Sequence, residues 1–144
     1  MRGLLTTMLA ALAAAAALAA GAASGASAHH YTFFESPTRN LGCVILDRSA
    51  RCDIVQRSWS PPRRPKSCPK EVDFGQGLTV SASGRARLVC AGDTALDPTA
   101  PILAYGQVDA SGALVCSSAI AGMSCRSIRS GHGFFISRER YTLF

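Results

Sequence analysis

Six cysteines constrain this 144-residue chain more than any other feature. Cys43 to Cys52 and Cys116 to Cys125 share one spacing, C-x8-C, and Cys68 and Cys90 stand between them. An even set in a short chain reads as a disulfide framework, provided the chain reaches an oxidising compartment. Structural zinc sites use tight knuckles of roughly two to four residues. The closest spacing here is eight intervening residues, so disulfides are expected instead of zinc. A turn at Asp47-Arg48 pairs Val44 with Arg51 and sets Cys43 opposite Cys52. Facing residues of a non-hydrogen-bonded antiparallel pair are close enough to bridge. Cys43–Cys52 and Cys116–Cys125 are therefore the favoured bridges, which leaves Cys68–Cys90. Each closes a loop worth roughly 2.5–3.5 kcal/mol in the chain-entropy model. Three such contributions are comparable to the net stability of a small domain.

The N-terminus supplies the compartment. Arg2 is followed by an apolar run over residues 4–20, then by small residues ending Ala26-Ser27-Ala28. A short positive start, an apolar core and an A-x-A site describe a secretory signal peptide. Only Leu4, Leu5, Leu9, Leu12 and Leu18 are strong inserters among the alanines, which favours cleavage over a retained anchor. Residues 1–28 are thus read as the leader and 29–144 as one domain, secreted or otherwise extracytoplasmic, with no membrane span after cleavage. Thirteen of the first 28 residues are alanine, so the 48% hydrophobic content overstates the mature core. The net charge of +6 falls by one with Arg2.

The mature chain reads as all-β: small disulfide-stapled antiparallel hairpins in a compact barrel or sandwich behind the signal peptide. Ala82-Ser83-Gly84 is expected as a three-residue loop with Gly84 left-handed, pairing Leu78 with Leu88 and Thr79 with Arg87. Ala110-Ser111-Gly112 repeats the pattern and would pair Val108 with Leu114. Residues 134–137 and 141–144 read as closing strands, and residues 60–66, with Pro61, Pro62 and Pro65, as an extended loop. A short helical turn is expected near residues 93–99. No longer stretch after Ala28 carries an apolar stripe at helical period.

The chemistry-bearing residues are few. Arg57, Arg63, Arg64, Lys66 and Lys70 share an acid-free segment with Trp59. That strip could dock on an anionic surface or another secreted protein, although Trp59 also suits a core and the cations a solvated loop. Nucleic acid is not expected, because single-strand binding asks for several exposed aromatics and only Trp59 is near. His132, between Gly131 and Gly133, could act as an acid or base with Asp93. No G-x-S-x-G elbow accompanies them, and both also describe ordinary turns. His29 and His30 at the new terminus could chelate copper with His132, but the plainer reading is a solvated end, and no metal or cofactor is expected.

Several motifs stand at characteristic spacings: Phe34-Glu35-Ser36-Pro37 with Asn40-Leu41-Gly42-Cys43, Arg51-Cys52-Asp53-Ile54, and Arg57, Trp59 and Pro61-Pro62. Val89-Cys90-Ala91-Gly92-Asp93-Thr94, Tyr105-Gly106, Gly122 between the last two cysteines, and Gly131-His132-Gly133-Phe134 continue the series. Together they resemble a family of small secreted six-cysteine domains of unknown function from high-G+C Gram-positive bacteria. The chain departs from the family at Thr38-Arg39, where a Ser-Gly turn is usual, and at Phe74, where tryptophan is. The resemblance implies architecture, six cysteines and export, and assigns no catalytic residue. An exported binding or structural module is the expected function. A small hydrolase or nuclease using His132 and Asp93, and a protease inhibitor presenting the Pro-rich loop, are the alternatives.

Overall fold

The structure, a computed structural model, describes residues 31–144. The expected leader, its expected cleavage site and His29-His30 lie outside them. Two five-stranded antiparallel sheets make up the described residues, with no helix. The first runs in chain order through β1 (Thr32–Glu35), β2 (Leu41–Ile45), β3 (Ser49–Ile54), β4 (Asp73–Ser81) and β5 (Arg87–Ala91). The second does the same through β6 (Val108–Ser111), β7 (Leu114–Ala119), β8 (Gly122–Ser127), β9 (Gly133–Ile136) and β10 (Tyr141–Leu143). Both are meanders; short turns join most neighbouring strands, and residues 55–72 join β3 to β4.

Alternation places the core. Ala50, Cys52 and Ile54 are buried on β3, Leu114 and Cys116 on β7, and Met123 and Cys125 on β8. These rows face one another, and β3 and β4 pack across β7, β8 and β9. Val44 pairs with Arg51 and Cys43 with Cys52, as the hairpin at Asp47-Arg48 requires. Cys116 pairs with Cys125 in the matching position of the second sheet. Both bridges form, with Cα atoms 4.1 Å apart in each. Cys52 Sγ lies 3.6 Å from Cys125 Sγ, so the two cystines meet in the centre of the sandwich. Cys68–Cys90 forms as well and ties the 57–72 segment to β5. The shared C-x8-C spacing therefore marks one cross-strand staple per sheet, stacked in one core.

Three expectations need correction. Leu78 does pair with Leu88 and Thr79 with Arg87, but Gly84 is not left-handed. A side chain there would meet only the Ser81 hydroxyl, which can rotate away. In the second sheet, Val108 pairs with Ser117, and Ser111 with Leu114. The strand continues through Ser111, leaving Gly112, at φ 57°, and Ala113 as a two-residue turn. Residues 93–99 form no helix: Asp93, Thr94 and Ala95 are committed to Arg51 and Asp53 of the first sheet, and Leu96 and Thr99 bond to side chains within the segment.

Candidate functional site

The outer face of the first sheet carries a buried charge network. Arg51 and Asp53 stand two apart on β3 and so share the face opposite Cys52. Arg51 grips Asp53 in a bidentate pair, Nε to Oδ1 at 2.8 Å and Nη2 to Oδ2 at 2.7 Å. It also reaches Asp93, Nη1 donating to Oδ1 and Nη2 to the backbone carbonyl, both at 2.7 Å. Asp53 accepts two further bonds, from the Thr94 hydroxyl at 3.1 Å and the Ala95 amide at 2.9 Å. At 1% exposure its carboxylate is fully paired, as a buried charge must be. Gly42 and Gly77 face Asp53 from either side in register. A Cβ at Gly42 would strike the chain at Ala95 and Leu96, and one at Gly77 would strike Asp53 itself. Burial opposes the charge on Arg51, but the two carboxylates outweigh it and raise its pKa. The hydrogen bond and charge of Arg51 hold the Asp93 carboxyl below its usual value.

Asp93 is thus occupied by Arg51. His132 belongs to the other sheet, in the β8–β9 turn, where its Nδ1 lies 3.3 Å from the Phe144 backbone oxygen. The two share no hydrogen-bond partner, and neither lines the cleft between the sheets. No group of three metal-ligating side chains occurs among the described residues.

The basic segment divides in two. Arg57 donates to the Gly75 carbonyl, and its guanidinium lies 4.6 Å from the Trp59 ring centroid. Trp59 packs against the core, 4.7 Å from Tyr141, and donates to the Ser137 carbonyl at 2.9 Å. Arg64 donates to the carbonyls of Pro69 and Val72 at 2.6 and 2.8 Å and lies over Phe74. These three side chains fasten the loop. Arg63, Lys66 and Lys70 are exposed on it, next to the buried Cys68.

A cleft absent from the sequence-based expectations lies beyond the C-terminal end of β3. It opens between the sheets, with a volume of about 450 Å³. The β1–β2 turn, the start of the 55–72 segment, Tyr105, the β7–β8 hairpin and the β9–β10 turn bound it. Its walls are tied together. Asn40 exchanges bonds with the Gln56 backbone at 2.9 and 2.8 Å. The Ser58 amide and hydroxyl both donate to the Arg138 carbonyl, at 2.8 and 3.1 Å. Arg39 in the β1–β2 turn has φ 57°, the left-handed conformation that glycine suits. Its guanidinium pairs with the buried Glu35 at 2.5 Å and donates to the Pro98 carbonyl at 3.0 Å. Arginine thus holds a glycine-type backbone position by anchoring its side chain. One signal was legible: β7 reads Leu114, Cys116, Ser118 along its inward row, turning polar where the cleft begins.

A disulfide-stapled, two-sheet β sandwich with a tethered basic loop and an open inter-sheet cleft is the class of protein these features define. The model of a family of unknown function (DUF6636) matches residues 4–144, and the chain belongs to that family. No curated protein and no solved structure matches it.

Proposed function

We propose that this protein is an exported binding module that docks on an anionic envelope component, or on another secreted protein, through Arg63, Lys66 and Lys70. The observation that carries this reading is the division of labour in the basic loop. Arg57, Arg64 and Cys68–Cys90 hold the backbone, while three cations face solvent without an ion pair among the described residues. A loop held in one conformation loses little entropy on binding. Three disulfides agree with an oxidising compartment, as does the leader of residues 1–28. No helix among the described residues is long and apolar enough to cross a membrane. Origin in high-G+C Gram-positive bacteria belongs to the same proposal.

Co-sedimentation of the oxidised mature chain with vesicles rich in phosphatidylglycerol tests the docking. Binding should fall steeply between about 50 and 200 mM salt, because exposed charge pairs are screened. Replacing Arg63, Lys66 and Lys70 together by serine should remove most of it, and His132→Ala should not. Salt-insensitive binding, or full binding by the triple variant, would overturn the reading. Export is checked separately: mass spectrometry of the secreted chain should find His29 at its N-terminus.

A further inference from the structure

The geometry points to the inter-sheet cleft as a binding site for a short acidic saccharide, a sugar unit bearing a carboxylate. Four polar side chains lining it make no hydrogen bond among the described residues: Gln56, Tyr105, Ser118 and Arg138. They come from four separate segments, and tertiary folding brings them to one opening. Their supports, by contrast, are hydrogen-bonded at several points. The Asn40–Gln56 exchange fixes one wall. Ser137 accepts the amides of Glu139 and Arg140 at 3.2 Å each and so fixes the turn that carries Arg138. Unpaired polar groups on rigid supports are what a preorganised small-ligand site requires, and the volume falls within the roughly 300–1,000 Å³ of such sites.

The chemistry of the lining selects the ligand. Arg138 has no carboxylate partner, the neighbouring Glu139 of the lining accepting instead from the Ser137 hydroxyl, so a planar anion completes its fork of donors. Gln56, Ser118 and the Tyr105 phenol both donate and accept, as hydroxyl groups do. Val55 at 59%, Tyr105 at 43% and Ile120 at 85% exposure rim the same cleft and offer apolar contact to C–H faces. An acidic sugar brings carboxylate, hydroxyls and C–H surface in one ring. A peptide is disfavoured, because it would need free main-chain groups to pair with its own. Several amides of the cleft walls are taken: Ser36 N by Leu41 O, Val55 N by Asn40 O, Ser118 N by Gln107 O and Ser137 N by Arg140 O. The site includes none of Arg63, Lys66 and Lys70, so it stands or falls independently of the docking surface.

Amide-detected NMR titration of the oxidised mature chain with D-glucuronate, D-glucose, acetate and a blocked Ala-Ala dipeptide tests the inference. Glucuronate should shift amides at residues 36–41, 118–123 and 137–139, and bind at least about five-fold more tightly than glucose or acetate. Arg138→Gln should weaken it about ten-fold, the loss of one charge-assisted contact, and Tyr105→Ser by less. Arg129→Gln makes the same charge change at the opposite end of the sandwich and should leave binding unchanged. Retained amide dispersion in each variant shows that it is folded. The proposal is overturned if glucuronate shifts no cleft amide, if acetate or glucose binds as well, if the dipeptide binds more tightly, or if Arg129→Gln weakens binding as much as Arg138→Gln.

Discussion

The two sheets share a topology and a staple, yet they use their outer faces differently. In each, a cystine bridges facing residues of two inner strands, and the two cystines touch across the core. The second sheet leaves much of its outer face to solvent, with Arg126 exposed and Phe135 sheltered by Arg140. On the first, the crossing segment after β5 lies over β1 to β3. There Glu35 pairs in parallel with Ile102, and Asp53 is sealed beneath Thr94 and Ala95. A cross-strand staple builds either sheet, therefore, but burying a carboxylate takes glycines beneath the covering chain and an arginine to meet the charge. The first sheet has all of these, and the basic loop grows from it.

The largest test of this comparison removes the staples one at a time. Cys43→Ala with Cys52→Ala should cost about 4 kcal/mol, from loop entropy plus the lost buried sulfurs. Cys116→Ala with Cys125→Ala should cost the same within about 1 kcal/mol, read from urea midpoints. A large inequality would mean that the sheets are not equivalent below their outer faces. Asp53→Ala should come next, at about 3 kcal/mol, because it leaves the largely buried Arg51 without its main partner. Replacing Arg126 by Ala on the open sheet should change little.

A smaller effect separates backbone from side chain at Arg39. Arg39→Ala loses the pair with Glu35 and keeps the left-handed backbone, whereas Arg39→Gly loses the pair and relieves the backbone. The glycine variant should be more stable than the alanine variant by about 1 kcal/mol, read from thermal midpoints. The smallest effect is electrostatic. Because Arg51 lowers the pKa of Asp93, the bonus is complete above the carboxyl's ordinary value of 3.8 and is lost as pH falls through the lowered value. Asp93→Asn should flatten the fall in urea midpoint on acidification in that range and lower neutral stability by the same small amount, since Asp93 is largely exposed.

Much of the fold was legible because its signals are local. The Asp47-Arg48 turn sets the register that opposes Cys43 to Cys52, and two bridged pairs leave Cys68 only Cys90. The second-sheet hairpin was misread because Ala110-Ser111-Gly112 admits two loop lengths, and Val108, now 59% exposed, did not need an inward partner. At the candidate site, the cations of residues 57–70 were visible as a group, but not which would be consumed. Arg57 and Arg64 are spent on carbonyls that only the folded loop brings near. Arg51 and Asp53 announced a shared strand face, while the segment that buries them lies about forty residues on.

Turn chemistry and strand alternation act over a few residues, so the staples, the all-β class and the positions of the main hairpins follow from local pattern. The stacking of the two cystines, the burial of Asp53 and the meeting of Gln56, Tyr105, Ser118 and Arg138 at one cleft arise from packing instead. Those features join residues far apart in the chain, whose meeting depends on how two sheets and one crossing segment pack, and no local pattern encodes that.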